Sequence, residues 1–303
     1  MSELGAGTRG ASLGYAAMLT ASHKFNSDFF QKYPVEEIPN ENYRLFDPVT
    51  TPNAKHIDGI VVMYERIAGK LKEVYNAGDM PLVIGAAHST AGGTIAGIKA
   101  AFPDKKLGVI WVDAHADLHS PYTTPSGNVH GMPLATALKD NNLECQINEP
   151  NAHTVAQWNK LTGDSPSITP EHLIFFGVRD TELPEDDMIE RLGIKNYTVD
   201  EVRTRGVKPC VMEAIGRLEA CDIIYVSFDV DSMDSAISNG TGTPVINGFS
   251  AVEAEKILSY LVQNDKLACL EFVEVNPTLD EKGNVMAETA FEILENVTSI
   301  MTK

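Results

Sequence analysis

Lys106-Leu-Gly-Val-Ile-Trp-Val-Asp113-Ala-His115-Ala-Asp117 is an apolar run closed by three polar side chains at alternate positions. Its first half has no polar face, as expected of a parallel strand buried on both sides. Its second half starts in extended backbone, where residues two apart share a face, so Asp113, His115 and Asp117 begin on one side of the chain. Four other runs have the same character: Pro81 to Ala86, His172 to Val178, Asp222 to Val230 and Ala268 to Val275. All are rich in β-branched or aromatic residues and of strand length. Between them lie stretches with helical periodicity: Ile57 to Tyr75, Thr90 to Ala101, Pro209 to Leu218, Ala251 to Gln263 and Glu288 to Met301. Strand alternating with helix predicts an α/β fold of three layers, α-β-α, around a mostly parallel central sheet. No composition break divides the chain, so residues 1–303 are read as a single domain. Leu143 to Thr169 has little periodicity and several Asn, Pro and Ser, which predicts a long surface excursion.

The balance of 24 Lys+Arg against 42 Asp+Glu gives a formal net charge of -18. Such a surface repels phosphate backbones and anionic lipid, so neither nucleic acid nor a membrane is an expected partner. The N-terminal residues lack the basic flank and apolar core of a signal peptide, and no run of about 18 apolar residues occurs, which points to a cytoplasmic protein. Cys145, Cys210, Cys221 and Cys269 have no C-x-x-C spacing and read as reduced thiols.

In an open parallel sheet, ligands bind where the carboxyl ends of the strands run into loops. The polar residues closing the apolar runs are His88, the Asp113 to Asp117 set, Asp229, Asp231 and Glu274. A lone D-x-D or D-x-H-x-D at a strand end can be a turn cap. Both together, with His88, make a set of four carboxylates and two imidazoles: His88, Asp113, His115, Asp117, Asp229 and Asp231. Four carboxylates in one crevice repel one another unless cations sit among them. Two divalent ions supply four positive charges against four negative, whereas one ion would leave two carboxylates uncompensated. Oxygen ligands with a minority of imidazole and no thiolate suit Mn(II), so two Mn2+ ions are expected. Two such ions about 3.5–4 Å apart acidify a water they share.

These motifs resemble those of the ureohydrolase family, which includes arginases, agmatinases and formiminoglutamases. The family's G-G-D-H-S, D-A-H-x-D, S-F-D-x-D and E-V-N-P signatures are matched by Gly85 to Ser89, Asp113 to Asp117, Ser227 to Asp231 and Glu274 to Pro277. Arg9 to Gly14 and the Thr241-Gly-Thr-Pro244 segment also fit. Leu118 to Pro133, with its Ser126-Gly-Asn128-Val-His130-Gly segment, resembles the arginase loop more than that of agmatinases.

The resemblance implies an arginase-like fold and hydrolysis of the guanidinium of L-arginine to L-ornithine and urea by a hydroxide bridging the two ions. It implies that Ser126 and Asn128 contact the substrate α-carboxylate. Glu274 would pair with the guanidinium, and His130 would pass a proton to the leaving amine. Asp117 would both hold metal and accept a hydrogen bond from the hydroxide, and Thr241 falls among the substrate contacts. Three positions depart from the family pattern. Ala86 and Ala87 replace a Gly and an Asp, which removes a carboxylate that could orient His88. His119 stands in place of an Asn that donates to the substrate carboxylate. Glu182 stands in place of an Asp associated with the α-amino group. The alternatives are another guanidino or amidine substrate, namely agmatine, guanidinobutyrate or formiminoglutamate, and a catalytically weak regulatory homologue. The resemblance also implies a homo-oligomer, a trimer or hexamer.

Overall fold

Strands that are apolar on both faces are stable only in the middle of a sheet covered on both sides. That is where the longest ones lie. The structure is a computed structural model describing residues 1–281 and 283–301, with six strands in one all-parallel sheet. They are β1 (Leu82–Ile84), β2 (Leu107–Val112), β3 (Leu173–Phe176), β4 (Lys195–Tyr197), β5 (Ile223–Asp229) and β6 (Leu267–Val273), in the order β1-β6-β5-β2-β3-β4. Residues of β2, β3 and β5 are buried throughout, whereas the edge strands β1 and β4 are partly exposed.

The helices are α1 (Gly14–Lys24), α2 (Phe29–Lys32), α3 (Ile57–Asn76), α4 (Ala91–Ala101), α5 (Pro133–Leu138) and α6 (Ala152–Thr162), then α7 (Leu183–Leu192), α8 (Val199–Arg205), α9 (Val207–Arg217), α10 (Ala251–Leu261) and α11 (Val285–Met301). The period-two alternation of the strands sorts them into two layers. Ile110, Val112, Val226, Phe228 and Phe272 face a core built with α1, α9, α10 and α11. Val109, Trp111, Phe175 and Tyr225 face the opposite core, with α4, α5 and α7. The three-layer expectation therefore holds. No helix among the described residues is long and apolar enough to cross a membrane.

One expectation is corrected: the segment from Leu143 to Thr169, expected as a long surface excursion without periodicity, contains α6. Asn151 caps this helix by accepting from Thr154 N, and Trp158 is 1% exposed with its indole N–H donating to Asn141 Oδ1. A strand, β4, was also missed: its three residues, Lys-Asn-Tyr, carry no apolar run.

The topology selects the site. From β2 the chain moves outward to β3 and β4, and from β5 it moves the other way to β6. The neighbours β2 and β5 are thus a switch point, where the connections diverge and leave a crevice beyond the carboxyl ends. Their register is level there, with Val112 opposite Phe228 and Asp229 opposite Val273. Asp113, Asp229 and Glu274 consequently emerge side by side.

Candidate active site

The two aspartate motifs use one device. Asp113 Oδ1 accepts the His115 N–H at 2.7 Å, and Asp229 Oδ1 accepts the Asp231 N–H at 2.8 Å. Each first aspartate caps the turn that ends its strand, which frees its second oxygen to face the crevice. Turn capping and ligand placement are thus performed by the same side chain. Asp231 is held by Ala114 N–H, donating to Oδ1 at 3.2 Å, and by the Thr243 hydroxyl, donating to Oδ2 at 3.1 Å.

The six side chains converge. His88 Nδ1 lies 3.0 Å from Asp113 Oδ2, 3.1 Å from Asp117 Oδ2 and 3.1 Å from Asp229 Oδ2. His115 Nδ1 lies 3.1 Å from Asp231 Oδ2 and 3.5 Å from Asp113 Oδ1. Two groups with metal-ligand spacing result, one around His88 and one around His115, and Asp113 belongs to both. All four aspartates and His88 are at most 6% exposed.

Hydrogen bonding does not account for this packing. One ring nitrogen cannot donate to three carboxylates, and among the described residues His88 Nδ1 and Asp113 Oδ2 are both buried without a hydrogen-bond partner. An octahedral cation with ligands at about 2.1 Å puts neighbouring ligand atoms about 3.0 Å apart. A tetrahedral zinc with ligands at about 2.0–2.1 Å would put them about 3.3–3.4 Å apart. The spacings around His88 match the octahedral case, those around His115 span both, and the oxygen-rich, thiolate-free donor set fits the expected class of ion.

The electrostatics agree. Burial, then the neighbouring carboxylates, push the Asp229 carboxyl well above its ordinary range, and burial and the Asp113 charge push Asp117 up. Burial opposes a charge on His88 and His115, but the surrounding aspartates outweigh it and raise both. Without cations the cluster thus gathers protons in their place.

His88 is aimed by two residues to which sequence reasoning gave no role. Its Nε2 lies 2.8 Å from Ser227 Oγ, and its ring stacks on Trp111 with centroids 4.0 Å apart and planes 4° apart. With Nε2–H donating to the hydroxyl, the Nδ1 lone pair faces the crevice. Arg179 was also missed: its guanidinium donates to the carbonyls of Asp231, Val245 and Ile246, clamping the segment that bears Asp231 and Thr243.

The cluster floors a cavity of about 320 Å³, which Glu274, His130, Ser126, Asn128, His119 and Glu182 also line. Glu274 Oε1 accepts the His88 N–H at 2.7 Å, and His130 Nδ1 stands 3.8 Å from that oxygen. Burial opposes a proton on His130, but the Glu274 carboxylate outweighs it and raises the imidazole. Asp117 and Glu274 have φ of 53° and 66°, a left-handed conformation that non-glycine residues seldom adopt and that clusters at functional sites.

A model of the Arginase family matches residues 1–299. The chain is 34% identical to the arginase of Bacillus subtilis over 97% of its own length and 94% of the relative's. It is 34% identical to human arginase-1 over 84% of this chain and 74% of that one. The crystal structure of B. subtilis arginase superposes with a TM-score of 0.81 at 32% identity, covering all of this chain and 96% of the other. The chain belongs to the arginase family. It is a hydrolase of that family, and B. subtilis formimidoylglutamase, at 19% identity and a TM-score of 0.73, shares its fold.

Against the family pattern, the departures resolve differently. Ala86 and Ala87 are fully buried, and the orientation of His88 is carried by Ser227 and Trp111 instead of a carboxylate beside it. His119 has both nitrogens engaged, Nδ1 at 3.2 Å from Thr123 Oγ1 and Nε2 at 3.0 Å from Glu182 Oε2. The His119 hydrogen bond holds the Glu182 carboxyl down at about 2, while burial pushes Glu185 up to about 8. Thr241, expected among the substrate contacts, is 1% exposed, its hydroxyl has no partner among the described residues, and it does not line this cavity. The threonines that line the cavity are Thr124, Thr181 and Thr243.

Proposed function

We propose that this chain hydrolyses L-arginine to L-ornithine and urea, with two Mn2+ ions held by His88, Asp113, Asp117 and Asp229 on one side and by Asp113, His115 and Asp231 on the other. When bound, such a pair supplies a hydroxide near neutral pH by acidifying a shared water. The reading rests on one observation: the six-ligand cluster and Glu274 open into the same cavity.

Within that cavity each side chain has a task its position supports. Glu274 has one oxygen fixed by the His88 N–H, which leaves the other, beside Gly242, to accept from a planar guanidinium. This pairing orients the guanidinium carbon toward the aspartate cluster. Asp117, which lines the cavity beside His88, would accept a hydrogen bond from the attacking group. His130 keeps a proton because Glu274 faces it, and it gives that proton to the leaving amine. Ser126 and Asn128 line the wall where a carboxylate would lie, and Glu182 offers a negative charge to an α-ammonium.

Purified protein supplied with manganese should release urea from L-arginine, and Asp231→Ala should abolish that release; full activity in this variant refutes the reading. A second reading has a specific support: His119, engaged at both nitrogens, has no free donor for a carboxylate. Agmatine, which carries no carboxylate, is the substrate this favours over guanidinobutyrate and formiminoglutamate. Comparison of kcat/KM across these compounds and arginine decides between them. Assembly as a trimer or hexamer belongs to the same proposal, and light scattering of the eluting protein tests it.

A further inference from the structure

The cavity lining holds eight carboxylates and neither lysine nor arginine among the described residues. With two divalent ions balancing the four clustered aspartates and burial pushing Glu185 up to about 8, Asp180, Glu182 and Glu274 remain, so a ligand carboxylate still meets a repulsive wall. One ammonium reaches its wall from behind: Lys55 Nζ donates to Asn128 Oδ1 at 3.1 Å, across 73 residues of sequence. Lys55 is half-buried, and no carboxylate among the described residues forms an ion pair with it. An ammonium with no carboxylate partner among the described residues leaves its charge available to an anionic ligand.

Its position is built into the backbone. Lys55 N–H donates to Gly127 O at 2.8 Å, and the next residue, His56, takes a φ of 57° to start α3. Gly127 has a φ of 72°, and a Cβ there would stand 1.8 Å from Pro52 O, so the two loops are in close contact. A lysine can only donate, so its bond to Asn128 Oδ1 decides which way the amide points. The Asn128 NH2 group is turned toward Gly7, in a side cavity of about 200 Å³ that also contains His130, Thr243 and Glu274. Among the described residues it has no acceptor. A free amide donor backed by an unpaired ammonium is a receptor for a carboxylate.

Building on the proposed reaction, we infer that Lys55 is a positioning residue that makes the pocket select guanidino compounds bearing a carboxylate. It orients the Asn128 amide and offsets the repulsion of the acidic lining, which compensates for the engagement of His119. The test compares L-ornithine with putrescine, the same diamine without the carboxylate, by calorimetric titration of the manganese-supplied protein, alongside urea release from L-arginine and agmatine. Lys55→Met should weaken L-ornithine about tenfold, or about 1.4 kcal/mol, and putrescine less than twofold. It should raise KM for arginine with kcat little changed, and Lys55→Arg should restore most of the loss. Equal losses for both diamines, or no loss for ornithine, overturn the inference. Lys55-dependent ornithine binding by a protein that releases no urea would refute the proposed reaction and leave the Lys55 assignment standing.

Discussion

Asp113 is shared by both ligand groups, whereas Asp231 belongs only to the one around His115. Removing their charges should therefore have unequal consequences for metal binding, and thermal stability provides the scale. With free manganese at about 100 times each dissociation constant, each occupied site adds about 2.7 kcal/mol to folding, so two independent sites add about 5.4 kcal/mol. For a chain of 303 residues, an unfolding entropy of about 2.1 cal/mol/K per residue converts that to a rise in Tm of about 8 °C. Manganese should thus raise the melting point of the native chain by about 8 °C, of Asp231→Asn by about 4 °C, and of Asp113→Asn by close to nothing. Metal-free Asp231→Asn should melt no lower than the metal-free native chain, because burial pushes that carboxyl up, whereas metal-free Asp113→Asn should melt lower, because against its burial His115 and His88 hold the Asp113 carboxyl below its ordinary range. The assay is differential scanning calorimetry in a chelating buffer and at saturating manganese. An Asp113→Asn protein that keeps half or more of the native gain, or a native chain whose Tm ignores manganese, refutes the shared-ligand argument.

Ser227→Ala removes the hydroxyl that faces His88 Nε2, and manganese affinity should fall about 10- to 100-fold with the fold intact; titration calorimetry reads this, and unchanged affinity would show that Trp111 stacking alone orients the ring. Gly127→Ala should lower stability by about 1–3 kcal/mol in denaturant titrations, because its left-handed backbone meets Pro52 O. It should also weaken ornithine more than putrescine, by displacing Lys55 from Asn128. Glu253 caps α10 with Ser250 and pairs with Arg203, whose hydrogen bond holds the carboxyl at about 2, below its ordinary 4.5. A depressed carboxyl stabilises the fold above its unfolded value and loses that contribution as pH falls through the folded one. Glu253→Gln should therefore cost about 1–2 kcal/mol near neutral pH, and the gap to the native chain should close between pH 4.5 and about 2.

The sheet and the candidate metal-binding cluster could be read in the chain because both obey local periodicities. A parallel strand must be apolar on both faces to lie under two helical layers, so β2, β3, β5 and β6 stand out as unbroken runs. The D-x-H-x-D and D-x-D motifs follow two of them because a strand end is where a capping aspartate belongs. Elements without such a signal were invisible: β4 has three residues with little apolar character, and α6 is recognisable chiefly from its Asn151 cap and the burial of Trp158.

The chain by itself determined which side chains are available and, through strand and helix periodicity, at which end of the sheet they emerge. Only the tertiary structure decided which oxygen of Asp113 and of Asp229 caps a turn and which faces the crevice. It also decided that Thr243 and not Thr241 reaches the cavity, that Ser227 orients His88, and that Lys55 touches Asn128. The last two are contacts between segments 139 and 73 residues apart, set by strand order and loop packing, and neither of these leaves a period in the sequence.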